Sequence, residues 1–161
     1  MQIGHMALQN IDGHTAGRQL LAQMYENMTG GALPEILVTD RGKPYLKNGA
    51  LHFSVSHTKN HVFCVLSERP VGIDAEEMSR KADLRLAEKI LSPMEKAQFD
   101  AAEDKTSALL RLWVLKEAAG KLTGQGINGY PNQTEFSVTD PRITEMNGCF
   151  VAVIQEEEYV I

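Results

Sequence analysis

Apolar side chains recur at helical spacing in two parts of the chain. The first is residues 15–28, which end at a Thr-Gly-Gly sequence typical of a helix terminus. The second runs from Ser79 to Lys121, where the spacing predicts three consecutive helices with bounds of about 79–91, 93–103 and 107–122. Ser92 before Pro93 is a typical start for the middle one. The third is apolar on nearly every side from Ala108 to Ala119, so we expect it to be buried.

Short apolar runs between turn residues predict strands in the other segments. An antiparallel set is expected over residues 36–38, 51–56 and 62–67, followed by a buried strand that begins at Val71. A final hairpin is predicted from TEFSVT at 134–139, a turn at Pro141 and Arg142, and the apolar run at 149–155. The predicted order begins with a helix, and the strands cluster instead of alternating with helices. These features predict an α+β fold.

Composition and charge narrow the class of protein. The 161 residues are 43% hydrophobic and 23% charged, which is typical of a globular domain. Cys64 and Cys149 lie in apolar runs, so we expect buried free thiols and a reducing, cytoplasmic setting. The sequence predicts neither a membrane span nor an export signal, so no membrane partner is expected. The net charge of -5 does not favour nucleic-acid binding.

Two like charges follow the strand predicted at Val71. Asp74 and Glu76 share one face of an extended chain, where two carboxylates roughly 7 Å apart repel by about 2 kcal/mol. A strand end in solvent tolerates this repulsion, whereas a hard divalent cation would offset it. A basic segment at 41–61 precedes the largely acidic segment 68–77. That order suits a ligand with phosphates and a metal, although two solvated surfaces of opposite charge are the simpler alternative.

Charged side chains also interrupt the apolar third helix. Lys116, Glu117 and Lys121 need partners if that helix is buried, because an unpaired buried ion is costly. Glu117 and Lys121 have the spacing of an intrahelical pair, worth about 0.3–0.5 kcal/mol. In the alternative, Glu117 joins Asp74 and Glu76 in a magnesium site, and the two lysines neutralise phosphates.

The sequence FSVSHT contains further polar groups that can bind phosphate. Ser54 and Ser56 lie on one face of the predicted strand, and His57 follows at the hairpin turn. An ordinary polar strand end is the simpler interpretation. The sequence has no GxSxG elbow, no P-loop and no zinc-type Cys/His spacing, so a serine hydrolase, a P-loop site and a zinc site are not predicted.

Four motifs resemble, in the same order, those of the 4'-phosphopantetheinyl transferases, specifically the longer type built as two similar halves. They are GKP at 42–44, FSVSHT at 53–58, VGIDAE at 71–76 and WVLKEAAGK at 113–121. Each motif is weak alone, and the ordered set is specific. SPME at 92–95 is a weaker likeness, and the resemblance covers roughly residues 15–130.

The resemblance implies an architecture and a set of site residues. The fold would be one domain, 1–161, of two helix-plus-antiparallel-strand halves at about 1–66 and 67–161, which form an intramolecular pseudo-dimer. The implied ligands are magnesium and coenzyme A. The implied roles are magnesium binding by Asp74, Glu76 and Glu117, coenzyme phosphate contacts by Lys116 and Lys121, and contacts to the adenine and 3'-phosphate end by Lys43, Ser56, His57 and Arg18.

The resemblance also implies an activity. Magnesium-dependent transfer would move 4'-phosphopantetheine from coenzyme A to a serine of an apo acyl or peptidyl carrier protein and release adenosine 3',5'-bisphosphate. Glu117 or a metal-polarised water would be the base, and Lys121 would neutralise the leaving phosphate. We expect a monomer with the coenzyme between the two halves. The alternatives are a non-catalytic module that binds magnesium and coenzyme A, and a structural interaction domain.

Overall fold

The computed structural model describes residues 1–126 and 135–157. These residues form a mixture of α-helices and antiparallel strands, so the α+β class is confirmed. The strands are β1 (Gln2–Ala7), β2 (Ile36–Val38), β3 (Pro44–Leu46), β4 (His52–His57), β5 (His61–Ser67), β6 (Val71–Glu77), β7 (Ile143–Met146) and β8 (Cys149–Gln155). The helices are α1 (Gly13–Thr29), α2 (Ala87–Ile90), α3 (Pro93–Ala101) and α4 (Lys105–Thr123).

Two units of the chain, residues 2–67 with β1 to β5 and residues 71–155 with β6 to β8, have their main elements in a similar order. Each begins with a strand, continues through a long helix and ends with two strands, the last of which lies at the centre of a three-stranded antiparallel sheet. The first sheet has the order β1-β5-β4 and packs against α1, and the second has the order β6-β8-β7 and packs against α4. Strands β2 and β3 form a separate two-stranded ladder.

Buried apolar side chains hold these layers together. One cluster lies between α1 and the first sheet, and another joins α4 to α3 and the second sheet. A third cluster lies between the sheets, where Phe63 and Val65 of β5 meet Val71 and Ile73 of β6. The two units are therefore joined by a continuous apolar contact.

Two glycines allow the long helices to lie close to the strands that carry polar residues. A Cβ atom at Gly72 would overlap the carbonyl oxygen of Ala118 and lie 2.6 Å from the backbone nitrogen of Leu122. A Cβ atom at Gly17 would lie 2.6 Å from Cγ1 of Val55. Larger residues would push α4 away from β6 and α1 away from β4. These approaches bring both helices to the junction of the two sheets.

Two predictions for the elements before α3 were wrong. The predicted order begins with a helix, but β1 precedes α1 and pairs with β5. The helix predicted over 79–91 is limited to a 3-10 turn at Leu84–Leu86 and the short α2. The reason is the side chain of Asp83, which accepts a hydrogen bond from the Arg85 amide at 3.0 Å and so starts the helical segment there.

The predicted final hairpin was also wrong in its first strand. Thr134 lies outside the described residues, and residues 135–139 form no strand. The amides of Phe136 and Val138 instead donate to the side chains of Glu95 and Gln98, each at 2.9 Å. The turn predicted at Pro141 and Arg142 is present, and the Ile143 amide donates to the Asp140 carbonyl oxygen across it at 3.1 Å, but it leads into β7 and does not join two strands. The observed hairpin joins β7 to β8 through Asn147 and Gly148, which have φ of 52° and 73°. An Asn-Gly pair is a strong signal for such a turn.

The cysteines are buried and free, as predicted. Burial raises the pKa of Cys64 to about 12 and that of Cys149 to about 11, so both thiols stay protonated at neutral pH. Within the described ranges, no helix has the length and apolarity needed to cross a bilayer.

Candidate functional site

A pocket of about 360 Å³ lies between the two units. Its walls come from α1, the turn between β2 and β3, strand β4 and the C-terminal part of α4. The charged or titratable side chains that line it are Arg18, Arg41, Lys43, Lys121, His14, His57 and Glu117. Lysine and arginine outnumber the single carboxylate in this lining, so the pocket is suited to a ligand that carries phosphate groups.

Arg18 contributes an unused hydrogen-bond donor to the pocket. Its Nη1 atom is buried and has no hydrogen-bond partner among the described residues. The guanidinium carbon lies 5.6 Å from the centroid of the Phe53 ring, which fixes one side of the group. Since a buried unsatisfied donor costs about 1–3 kcal/mol, an acceptor brought by a ligand would offset that cost.

Lys43 holds the β2–β3 turn against the end of α4. Its Nζ donates a hydrogen bond to the carbonyl oxygen of Leu122. Gly124 ends the helix at φ 75°, and a Cβ atom there would lie 3.3 Å from the Lys43 side chain. Burial lowers the pKa of Lys43, and the nearby Glu156 opposes this effect. Lys43 therefore closes one wall of the pocket while it supplies a positive charge.

Asp74 connects β6 to α4 at the edge of the pocket. Its Oδ1 accepts hydrogen bonds from Lys121 Nζ at 3.1 Å and from Ser56 Oγ at 3.2 Å, whereas its Oδ2 is buried without a partner among the described residues. Lys121 Nζ also donates to the carbonyl oxygen of Val55 at 3.2 Å. Burial, opposed by Lys121, raises the pKa of Asp74 to about 7.

The three predicted metal ligands lie close enough to influence one another. The negative charges of Glu76 and Glu117 both add to the rise in the pKa of Asp74. Burial also raises the pKa of Glu117; the charge of Lys121 opposes that rise, and the charge of Glu76 adds to it. Glu76 is paired with Arg80 at 2.7 Å. In the part of the chain that the structure describes, no three His, Cys, Asp or Glu residues are already arranged as metal ligands. Two features fit a divalent cation: the mutual repulsion of the three carboxylates, and the Asp74 Oδ2 atom that has no partner among the described residues. Binding by Glu76 would require its ion pair with Arg80 to break.

Two predicted coenzyme contacts do not lie in the pocket lining. Ser56 is buried, and its Oγ accepts a hydrogen bond from the Ala75 amide at 3.0 Å. Lys116 is also buried, and its Nζ lies 2.7 Å from Oε1 of Glu95 on α3. The structure therefore brings Arg18, Lys43, His57 and Lys121 to the pocket, and it places Ser56 and Lys116 in the supporting framework.

Two titratable residues of the pocket lining, His14 and Arg41, are not among the site residues predicted from the sequence. Arg41 belongs to the basic segment 41–61, so that segment was the available signal for it. His14 has no such signal, because its position depends on how α1 approaches β4. Gly13 packs directly against His57, where a Cβ atom would overlap the imidazole ring.

Comparison with known proteins identifies the family. The family model described as the 4'-phosphopantetheinyl transferase superfamily matches residues 70–156, more than half of the chain. The 4'-phosphopantetheinyl transferase psf-1 of Bacillus pumilus is 35% identical over 123 residues, which are 72% of this chain and 50% of that protein. The 4'-phosphopantetheinyl transferase of Bacillus subtilis is 31% identical over 94 residues, which are 56% of this chain and 42% of that protein.

A third relative agrees with these matches. The 4'-phosphopantetheinyl transferase HetI of Nostoc sp. is 32% identical over 123 residues, which are 70% of this chain and 52% of that protein. The chain thus spans about half the length of the relatives that it matches. It belongs to the 4'-phosphopantetheinyl transferase superfamily, as the four motifs predicted.

Proposed function

We propose that this protein transfers 4'-phosphopantetheine from coenzyme A to a serine hydroxyl of an apo acyl or peptidyl carrier protein. Adenosine 3',5'-bisphosphate is the second product. The observation that carries this proposal is the pocket between the two units, in which basic side chains meet Glu117 beside Asp74. The family membership supports the same reaction class.

The basic residues of the pocket divide into two groups along the coenzyme. Arg18, Lys43 and His57 hold the adenine and 3'-phosphate end, and the free Nη1 of Arg18 suits a phosphate oxygen. Lys121, which lies beside Asp74, binds the diphosphate. Ser56 and Lys116 support this arrangement from behind the pocket lining and do not touch the coenzyme.

Asp74, Glu76 and Glu117 are the residues that would hold magnesium. When bound, the ion supplies charge neutralisation at the diphosphate of the coenzyme. The protein contributes one buried carboxylate oxygen without a partner, Asp74 Oδ2, and two further carboxylates whose charges act on it. Lys121 Nζ donates a hydrogen bond to the other Asp74 oxygen, Oδ1.

The chemical step joins the carrier serine oxygen to the phosphorus of the pantetheine phosphate. The bond from that phosphorus to the oxygen of the nucleotide phosphate breaks, and the serine proton goes to a base. Glu117 suits this role because burial raises its pKa and improves its capacity to accept a proton. A water molecule is the other possible acceptor. Lys121 neutralises the charge that collects on the departing nucleotide phosphate.

The architecture that accompanies this function is an intramolecular pseudo-dimer within one domain. Its halves are about 1–66 and 67–161. The support for it is the common strand-helix-strand-strand order of the two units and the apolar cluster between their sheets. A pocket between the halves leaves no need for a second chain, so we propose that the protein acts as a monomer.

The direct test combines the protein with coenzyme A, magnesium and several apo carrier proteins, and measures the mass of each carrier. A gain equal to one phosphopantetheine group is expected, and Glu117→Gln should abolish it. Reactions without coenzyme A are the control. If no carrier gains mass, the proposed phosphopantetheine transfer is contradicted.

A non-catalytic module that binds magnesium and coenzyme A is the second candidate, because the same basic pocket and carboxylates would bind both ligands without transfer. Calorimetry distinguishes the two functions. Coenzyme A binding without a mass gain on any carrier favours the module. Absence of magnesium-dependent coenzyme binding contradicts both.

A further inference from the structure

Two serines of β4 make matching hydrogen bonds to β6. Ser54 Oγ accepts from the Ile73 amide at 3.1 Å, and Ser56 Oγ accepts from the Ala75 amide at 3.0 Å. Strands β4 and β6 are edge strands of different sheets, so these amides face away from their own ladder. The serine hydroxyls satisfy them and join the two units.

The two serines differ in the hydrogen bond that the hydroxyl group donates. Ser56 Oγ donates a hydrogen bond to Asp74 Oδ1 at 3.2 Å. Among the described residues, Ser54 makes no hydrogen bond to a carboxylate. The pair therefore offers an internal comparison, because both residues join β4 to β6 and one of them also contacts Asp74.

The contact from Ser56 restricts the carboxylate of Asp74. Oδ1 receives hydrogen bonds from Ser56 and Lys121, and Oδ2 receives none from the described residues. Donors fixed on one oxygen prevent rotation of the carboxylate, which keeps the other oxygen in a constant direction. In the proposed reaction Lys121 binds the diphosphate, so the hydrogen bond from Ser56 is the one that Asp74 Oδ1 keeps.

We propose that Ser56 is a positioning residue that orients Asp74 and presents its Oδ2 to the divalent cation. This inference rests on the proposed function, because it requires Asp74 to be a metal ligand. It differs from the role that the resemblance implied for Ser56, which was contact with the coenzyme. The side chain is buried and makes hydrogen bonds to Ala75 and Asp74, which leaves it poorly placed to contact a phosphate.

The test measures the affinity of the coenzyme-free protein for Mn²⁺, a paramagnetic substitute for magnesium whose free concentration is read by electron paramagnetic resonance. Ser56→Ala should weaken Mn²⁺ binding about 10- to 100-fold, the usual cost of losing a hydrogen bond to a metal ligand. Ser54→Ala is the matched control. It removes the equivalent bridge to β6, so it should lower the thermal midpoint, and it should leave the Mn²⁺ affinity unchanged.

Asp74→Ala separates failure of this inference from failure of the metal site. Wild-type Mn²⁺ binding by Asp74→Ala would remove Asp74 from the metal site and contradict that part of the proposed function. If Asp74→Ala loses binding while Ser56→Ala and Ser54→Ala bind Mn²⁺ equally well, the metal site stands and the positioning role of Ser56 is wrong. A raised KM for coenzyme A in Ser56→Ala, with unchanged Mn²⁺ affinity, would instead make Ser56 a coenzyme ligand.

Discussion

Helix α4 carries two lysines that pair with carboxylates, and the two pairs differ in how fully their polar atoms are used. In the Lys116–Glu95 pair the side chains are 3% and 0% exposed, and both Glu95 oxygens accept hydrogen bonds. In the Lys121–Asp74 pair the side chains are 33% and 10% exposed, and one Asp74 oxygen is buried without a partner. An ion pair in which every polar atom is hydrogen-bonded, here called the satisfied pair, holds elements together. An ion pair at a pocket that has a carboxylate oxygen without a partner can still bind a ligand.

The satisfied pair connects three parts of the second unit. Glu95 accepts from Lys116 on α4, from the Ser92 amide at the start of its own helix, and from the Phe136 amide. This arrangement fixes α4 relative to α3, next to the position of Glu117. Lys116 thus supports the site through packing, although it lies in the same motif as Lys121.

The largest effect is expected from Lys116→Met. It leaves the Glu95 charge buried without its cation, so the free energy of unfolding should fall by about 3–5 kcal/mol, measured by urea denaturation. The KM for coenzyme A should not change. Lys96→Met is the control, because Lys96 pairs with Glu88 and Asp100 on the surface and its loss should cost less than about 1 kcal/mol. A raised KM with normal stability would show that Lys116 binds the coenzyme.

Lys121→Met should act on catalysis more than on stability. Loss of the cation that neutralises the leaving phosphate should lower kcat about 10²- to 10³-fold, measured as the rate of mass gain on a carrier. Lys47→Met, which removes an exposed lysine paired with Glu35, should keep the wild-type rate. If the two variants have equal rates, the distinction between the two lysine pairs of α4 fails.

Asp74→Asn should stabilise the metal-free protein. The folded-state pKa of Asp74 is about 7, above the roughly 3.9 of an unfolded chain, so the proton is bound more tightly in the folded state. The contribution of Asp74 to stability is therefore complete below about pH 4 and is lost as the pH rises to about 7. The difference of about three pKa units corresponds to about 4 kcal/mol, which is the upper limit of the gain in stability of the variant above pH 7. Equal urea curves for both proteins at pH 8 would contradict this assignment.

Arg18→Gln is expected to have the smallest effect. Loss of one charged hydrogen bond to phosphate should raise the KM for coenzyme A about tenfold, with little change in kcat. Arg111→Gln is a matched control, since Arg111 also stacks on an aromatic ring, that of Phe150, but lies outside the pocket lining. An unchanged KM in Arg18→Gln would remove Arg18 from the coenzyme site.

Local patterns in the sequence predict the elements that carry the site. The strand that contains Asp74 and the apolar helix that contains Glu117 follow from short stretches of hydrophobic spacing, and both are present close to their predicted bounds. The charges of Glu76 and Glu117 raise the pKa of Asp74, so the three carboxylates lie within electrostatic range of one another, and their shared role at a metal stays a prediction. The α+β class follows from the same patterns.

Contacts between distant segments account for what the sequence did not predict. Whether Lys116 faces the pocket depends on the packing of α3, which places Glu95 beside it. The amides of Phe136 and Val138 bond to side chains of α3, so a β-like sequence forms no strand there. The hydroxyl of Ser56 accepts a hydrogen bond from the Ala75 amide of β6 because β6 lies against β4, and no local pattern in the sequence indicates that contact.

The most direct measurement is calorimetric titration of coenzyme A with and without magnesium. If the carboxylates of Asp74, Glu76 and Glu117 share a cation with the diphosphate, magnesium should strengthen coenzyme binding at least about tenfold, or 1.4 kcal/mol. Asp74→Asn should lose that gain and keep the weaker, magnesium-independent binding. Equal coenzyme affinity with and without magnesium in the unmodified protein would contradict the shared metal site.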